Sequence, residues 1–294
     1  VTVKGEKHYV RDVLKSSGEA LLGTAHHTKF GSVLPLLVKF LDSATRLHLQ
    51  VHPTARFAQE RLGEPCGKAE AYHILKVRPE IKQPYIHLGF QHPPKRETMK
   101  QWIQEQNIDA MLKTMDRIPV KEGDTLYIPG GMPHAIGEGI FMVEIMEPSD
   151  LVVRFEFTRD NFTVPESSRF LNDDIELSLE AFDWNAYPPE TIRKQFFPEP
   201  RLLDAPNEQS RHTHLIGTEQ LEAFRVEHAE LNGSGVLKNP GPAVGIITDG
   251  AGTLGPKQKS WNLYDRFFIP ASLNEIPFSA PQGTKLLICR PPAP

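Results

Sequence analysis

Cysteine is almost missing from this 294-residue chain: Cys66 and Cys289 are its two, and no CxxC pair exists. That excludes a zinc ribbon, argues against a disulfide framework and leaves two reduced thiols, as expected of a cytoplasmic protein. Long apolar runs are missing as well. None approaches the roughly 20 residues needed to cross a bilayer, and Val1 to Asp12 is too polar for a signal peptide. Positive charge is not in excess either. The formal net charge is -4 and the pI is near 6.3, with no run rich in Lys or Arg. Neither nucleic acid nor an anionic membrane is an expected partner.

Breakers and histidine are abundant. With 26 Pro and 21 Gly bounding many short apolar runs, the pattern predicts a mostly-β protein. Expected strands are 34–41, 47–52, 72–77, 85–90, 125–128, 140–146 and 151–157, and later 224–231, 244–248, 266–269 and 285–289. Alternation within 47–52 places Leu47, Leu49 and Val51 on one face and His48, Gln50 and His52 on the other. In a small barrel such a polar face can point inward, at a site. Helices are expected over 54–62, with Thr54 as cap and Gly63 as stop, and over 96–115, where Met99, Trp102, Ile103, Ile108, Met111 and Leu112 recur at helical spacing. From Thr158 to about Arg211 the pattern lapses apart from a helical run at 175–182, and the segment is expected to connect two barrels.

A repeat supports the two-barrel reading. Gly123-Asp124 makes a turn, 125–128 a strand, and Pro129 to Gly131 a second turn that aims His134 at the barrel mouth. The frame returns at Tyr264-Asp265, 266–269 and Pro270, with Tyr264 in place of Gly and Glu275 in place of His. The expected organisation is a metal-binding barrel with a helical segment over 1–157, a connecting segment over 158–211 and a degenerate second barrel over 212–294.

A lone His134 would more often be structural than a ligand. Gln50 and His52, however, lie on one strand face about 6.8 Å apart, Glu70 begins the next strand, and His134 comes from a third. Two imidazoles, a carboxylate and an amide oxygen, without thiolate, make a catalytic donor set with open positions. Zinc is the expected metal, one ion per chain; the hard amide ligand also admits Fe, Mn or Co.

The runs Leu36 to Asp42, Leu49-Gln50-Val51-His52-Pro53, Gly67-Lys68-Ala69-Glu70, Gly123 through Gly137, and Glu144 with Ser149-Asp150 and Arg154 together resemble the type I mannose-6-phosphate isomerase family of the cupin superfamily, in order and in spacing. The resemblance implies tandem cupin-type jelly-roll barrels and a metal-dependent aldose–ketose isomerase interconverting mannose 6-phosphate and fructose 6-phosphate. It implies metal ligation by Gln50, His52, Glu70 and His134, with Arg154 and Glu144 lining the reaction site and Lys68 projecting into it. Arg154 is expected to hydrogen-bond developing charge, Glu144 to shuttle the proton, and Lys68 to hold phosphate. His48 or a metal-bound hydroxide are other candidates for the base. The sequence departs from the family in lacking its usual opening segment with a Trp-Gly pair, in reading Met146-Glu147-Pro148 before Ser149-Asp150, and in carrying Val152-Val153 ahead of Arg154. A sugar-binding regulatory cupin without activity and a cupin dioxygenase are the competing readings.

Overall fold

The computed structural model describes residues 2–3 and 5–294; Val1 and Lys4, at the head of the expected first barrel, lie outside the described residues. The chain divides into two compact units, Lys39–Pro198 and Val1–Val38 with Glu199–Pro294.

The unit Lys39–Pro198 holds two large antiparallel sheets, besides the short pair Thr158–Arg159 and Phe162–Thr163. One runs Leu37–Ser43, Ile140–Met146, Glu70–Val77, Thr125–Ile128; the other Val153–Arg154, Gln50–Val51, His134–Ile136, Tyr85–Leu88, Ile118–Pro119. Setting aside the last-formed strand Val153–Arg154 and numbering the other eight along the chain, the orders are 1-8-3-6 and 2-7-4-5, the jelly roll of the cupin type. Six successive residues from Glu70 to Leu75 are buried, as are all of Ile140–Met146 except Phe141. Both faces of these two strands are covered, which is why their sequences read as near-continuous apolar runs.

Two expectations shift by a local cause. The helix expected over 96–115 is two helices, Arg96–Glu105 and Ile108–Leu112. Gln106 is left-handed (φ 52) and Asn107 caps the second piece, accepting from Ala110 N at 3.2 Å. The break turns the Gln106 amide onto the strand end, where Oε1 accepts from Phe157 N and Nε2 donates to Phe155 O. The helix after Pro53 forms as expected, capped by Thr54 and ended by left-handed Gly63, but its last turn, Ala58–Leu62, is π-helical.

The stretch 158–198, expected to lie in a connector, is inside this unit and carries part of its core. Ile175–Glu180, capped by Asp174, and Pro189–Phe196 are helices. Leu171, Leu179 and Phe182 are buried with Phe90, Met99, Met111 and Phe155. Polar composition hid the segment because only a few of its residues face inward.

The other unit repeats the topology with its strands fused. Arg225–Lys238 pairs with Glu275–Arg290 along their whole length, Arg225 opposite Arg290 and Lys238 opposite Glu275. The C-terminal half of the second strand also pairs with Ala243–Gly250, which pairs with Arg266–Ile269. Its N-terminal half pairs with Gly252–Leu254, which pairs with Lys259–Trp261. Cutting each long strand at its bulge, between Leu231 and Gly233, again yields the two four-stranded orders of the jelly roll. Beyond the frame lie Arg201–Asp204 and Arg211–Ile216, and helices Val10–Leu22 and Thr24–Phe30, which had no clear signal in the sequence.

The sequence repeat is a structural one. Asp124 N donates to Lys121 O and its carboxylate accepts from Lys121 N; Asp265 does the same with Asn262. After the strand, Met132 N reaches Pro129 O and Leu273 N reaches Pro270 O. Gly123 (φ 85) and Tyr264 (φ 66) are both left-handed, so the turn keeps its conformation even where glycine is gone, at a conformational cost glycine avoids.

Among the described residues no helix is long and apolar enough to cross a membrane, and both cysteines are free. Within the second unit Glu227 is buried and clamped by Arg290 Nε at 2.6 Å and His212 Nε2 at 2.9 Å. Burial opposes its ionisation, yet the His212 hydrogen bond and the Arg290 charge outweigh that and hold the carboxyl down at about 2. The folded state therefore binds fewer protons than the unfolded state, and the stabilisation is present above the ordinary carboxylate value and lost as pH falls towards about 2. We expect Glu227→Gln to lower stability at neutral pH and to flatten its pH dependence between about 4.5 and about 2, read by urea unfolding at a series of pH values. An unchanged slope there would count against the clamp.

Candidate metal centre

Three segments converge on one point. His52 follows the strand Gln50–Val51, Glu70 opens Glu70–Val77, and His134 opens His134–Ile136. Their donor atoms all lie within 4.8 Å of one another and all three side chains are buried. Gln50 faces His134 across the ladder, with Nε2 3.1 Å from His134 Nε2. A half-turn of the amide, which exchanges its oxygen and nitrogen, presents a ligand oxygen to the same point.

The donor set is prepared for a cation. His52 Nδ1 donates to Leu151 O at 2.8 Å and His134 Nδ1 to Met132 O at 2.9 Å. With those protons placed, both Nε2 atoms carry bare lone pairs towards the centre. Burial holds the His52 ring below its ordinary pKa against the pull of Glu70, favouring the neutral form that a metal needs. Glu70 Oε2 accepts from Tyr72 Oη at 2.6 Å, while buried Oε1 faces the centre, 3.1 Å from His52 Nε2 and 3.2 Å from Lys68 Nζ. Burial opposes ionisation of Glu70, and the pull that holds its carboxyl well below the usual range comes from positive charge on His52 and His134; with both rings neutral, a bound cation would supply that charge instead. A buried carboxylate between two neutral imidazoles fits a divalent ion.

The backbone explains why these segments meet. Lys68 N donates to Pro53 O at 3.1 Å and Gly131 N to His52 O at 2.6 Å. A Cβ on Gly67 would lie 2.4 Å from Ala55 N, and one on Gly130 2.6 Å from Pro53 O. The Pro53–Thr54 backbone is thus clasped by two glycines, one leading to Glu70 and the other to His134. Glu147, where the sequence leaves the family pattern, ties the Glu70 side of the clasp: its carboxylate accepts from Ala69 N at 2.8 Å, and its N–H donates to Ala69 O.

The other candidate residues take different places. Lys68 Nζ lies 3.2 Å from Glu70 Oε1 and 3.4 Å from His52 Nε2, inside the centre. Glu144 is buried opposite Tyr72, with Lys39 Nζ at 3.0 Å. Burial and then the Glu70 charge push its carboxyl up to about 7, against Lys39. Arg154 stands opposite Gln50 in the ladder, half-buried, its guanidinium donating to Ser168 O at 2.9 Å. Among the described residues it makes no ion pair with Asp150. Arg154 lines a cavity of about 260 Å³ with Asp150, Leu151 and Ser168. His48 Nε2 is buried without a partner, its ring edge-on to Phe162, and it is not one of the three clustered ligands. Sequence reasoning gave Tyr72 no role. Its signal was available: two positions after Glu70 on one strand, it shares the face of the carboxylate.

Comparison with known proteins follows the same lines. Residues 1–82 match the family described as phosphomannose isomerase type I, catalytic domain; that span contains Gln50, His52, Lys68 and Glu70, while His134 and Arg154 lie beyond it. The mannose-6-phosphate isomerase of Streptococcus mutans serotype c is 37% identical over 168 residues, 55% of this chain and 51% of that protein. The chain thus spans about half the length of this relative. A putative mannosephosphate isomerase from Archaeoglobus fulgidus superposes with a TM-score of 0.75 at 20% identity, over 99% of this chain and 83% of that one. A zinc-bound mannose 6-phosphate isomerase superposes with a TM-score of 0.73 at 17% identity, over 98% and 87%. The resemblance read from the motifs is borne out in sequence, and the cupin-type fold in structure.

Two substitutions test how the centre is built. Tyr72→Phe frees Glu70 Oε2 and is expected to weaken zinc binding roughly ten- to a hundredfold, measured by competition with a chromophoric chelator. Gly130→Ala forces the clasp apart and is expected to lower zinc affinity together with the unfolding midpoint. Unaltered affinity in both would show that the ligands are positioned by other means.

Proposed function

We propose that the chain is a metal-dependent aldose–ketose isomerase that interconverts mannose 6-phosphate and fructose 6-phosphate through a cis-enediol. The observation that carries this reading is the buried His52–Glu70–His134 cluster, with both Nε2 lone pairs set inward towards the Glu70 carboxylate. Gln50, His52, Glu70 and His134 would hold the ion, with zinc the first choice, in keeping with the zinc-bound relative. When bound, the ion supplies Lewis acidity to the sugar oxygen on which charge develops.

The reaction moves one proton between C1 and C2. Glu144 is the proposed carrier. A carboxyl raised to about 7 by burial can take a proton and return it at neutral pH, because neither form is strongly favoured. Lys39, at 3.0 Å, keeps enough of it ionised to act as the base. Arg154 is the proposed donor to the charge that develops on oxygen; a fixed guanidinium does this without reorganisation. Lys68 was expected to hold the phosphate. Its ammonium lies against Glu70 and His52, which suits a hydroxyl at the reacting end of the sugar better than a phosphate on C6. The family likeness in residues 1–82 supports the sugar phosphate as substrate.

The test is exchange of the C2 proton of mannose 6-phosphate with deuterated solvent, followed by NMR alongside formation of fructose 6-phosphate. We expect both to stop on chelation and to return with zinc. Arg154→Ala is expected to lower kcat by roughly a hundred- to a thousandfold, with Glu144→Gln lowering exchange and turnover together. Sugar phosphate binding without exchange, in metal-loaded protein, would overturn the isomerase and favour a binding cupin. Oxygen uptake by an iron-loaded form would favour the dioxygenase.

A further inference from the structure

The ladders assign each metal ligand a counterpart in the second unit. Gln50 faces His134 in the first jelly roll, and Lys238 faces Glu275 in the second. Two residues beyond Lys238, in the place of His52, stands Pro240. Glu70 pairs with Ile128, and Ala243 pairs with Ile269, the matching residue of the repeat. All four ligands are therefore replaced: Gln50 by Lys238, His52 by Pro240, Glu70 by Ala243 and His134 by Glu275. The mouth itself has not closed. A cavity of about 610 Å³ remains there, lined among others by Lys238, Glu275, His214, Arg225, Glu227 and Asn239.

We propose that this second mouth binds a neutral polyhydroxylated ligand, a free hexose or its polyol. Nothing favours a metal there, since among the described residues no three His, Cys or acidic side chains converge at this mouth as they do at the first. An anion is disfavoured by charge. Arg225 and Lys238 at the cavity, with Arg290 beneath it, balance Asp204, Glu227 and Glu275, so no net positive field is left to hold a phosphate. A sugar hydroxyl both donates and accepts, and a neutral ring bearing several of them needs donors and acceptors interleaved around one concave site. The mouth has this arrangement. Lys238 stands opposite Glu275 in the ladder, its ammonium 3.6 Å from Asp204 Oδ2, so a donor and two acceptors stand where the first unit has metal ligands. Arg225 uses Nε and Nη2 on a single carbonyl, Pro291 O.

The floor is rigid. Arg290 is fully buried and donates to Glu227 Oε1, Asn239 Oδ1 and Gly241 O, and His212 holds the other oxygen of Glu227. Two cavity residues, Glu227 and Asn239, are therefore pinned before a ligand arrives, which lowers the ordering cost of binding. The site rests on the second unit alone; the choice of a hexose as its ligand rests on the isomerase reading.

The experiment is calorimetric titration of the full chain with D-mannose, D-mannitol and mannose 6-phosphate, for wild type, Lys238→Met and Glu275→Ala. We expect D-mannose and D-mannitol to bind wild type, and each substitution to weaken them about tenfold, the effect of one charge-assisted hydrogen bond. The unfolding midpoint, measured in parallel, is expected to hold, because both side chains are at the cavity rim. Mannose 6-phosphate affinity is expected to be unchanged in both variants. No binding of neutral sugar to wild type would overturn the proposal. So would wild-type affinity for the neutral sugars in both variants, which would place the sugar elsewhere, or loss of mannose 6-phosphate alone in Lys238→Met, which would make the mouth an anion site.

Discussion

The clasp around Pro53 and Thr54 is the constraint on which the metal centre depends. Two glycines, Gly67 and Gly130, bring their backbones against that peptide so closely that a single methyl on either would meet main-chain atoms at 2.4–2.6 Å. The contact joins the segments that carry His52, Glu70 and His134. A donor set built from three separate strands needs such a fixed junction, because errors in each strand's position would add at the ion. The backbone bonds Gly131 N to His52 O and Lys68 N to Pro53 O lock it. The remaining freedom lies in ring and carboxylate rotation, and Met132 O, Leu151 O and the Tyr72 hydroxyl remove that.

The two jelly rolls separate what a fold requires from what a site requires. The turn–strand–turn frame survives in both, down to the Asp124 and Asp265 carboxylates that each cap their own turn. Even the left-handed residue persists, as Gly123 in one and Tyr264 in the other. The ligands do not survive. At their places the second unit carries an ammonium, a proline, a methyl group and a carboxylate. Backbone geometry is held by many cooperating hydrogen bonds, whereas a ligand is one side chain on a surface the barrel tolerates changing.

Electrostatics divides the buried carboxylates by their surroundings. Glu70 lies between imidazoles and is held ionised, Glu144 lies beside Glu70 and is pushed up to about 7, and Glu227 is clamped by Arg290 and His212 and held down at about 2. All are buried, so burial alone does not separate them: at Glu144 the Glu70 charge adds to burial against Lys39 at 3.0 Å, while at Glu227 the His212 hydrogen bond and Arg290 overcome it. Arg46, donating to both oxygens of buried Glu156, adds a further closed pair in the first unit.

The sequence by itself determined the mostly-β class, the central strands and the identity of the residues that meet at the centre. Strands Thr125–Ile128, Ile140–Met146 and Arg266–Ile269 form where alternation and flanking breakers placed them, because those signals act over a few neighbouring residues. Gln50, His52, Glu70 and His134 were legible because ligand-type side chains at strand starts stand out against an apolar ladder. What needed the tertiary structure was everything set by distant contacts. The break at Gln106 answers to Phe155 and Phe157, and the core role of Leu171, Leu179 and Phe182 answers to Phe90 and Met99. The position of Lys68 against Glu70 and His52, and the register that sets Lys238 against Glu275, belong to the same kind. Each depends on which segments pack together, and local periodicity carries no information about that.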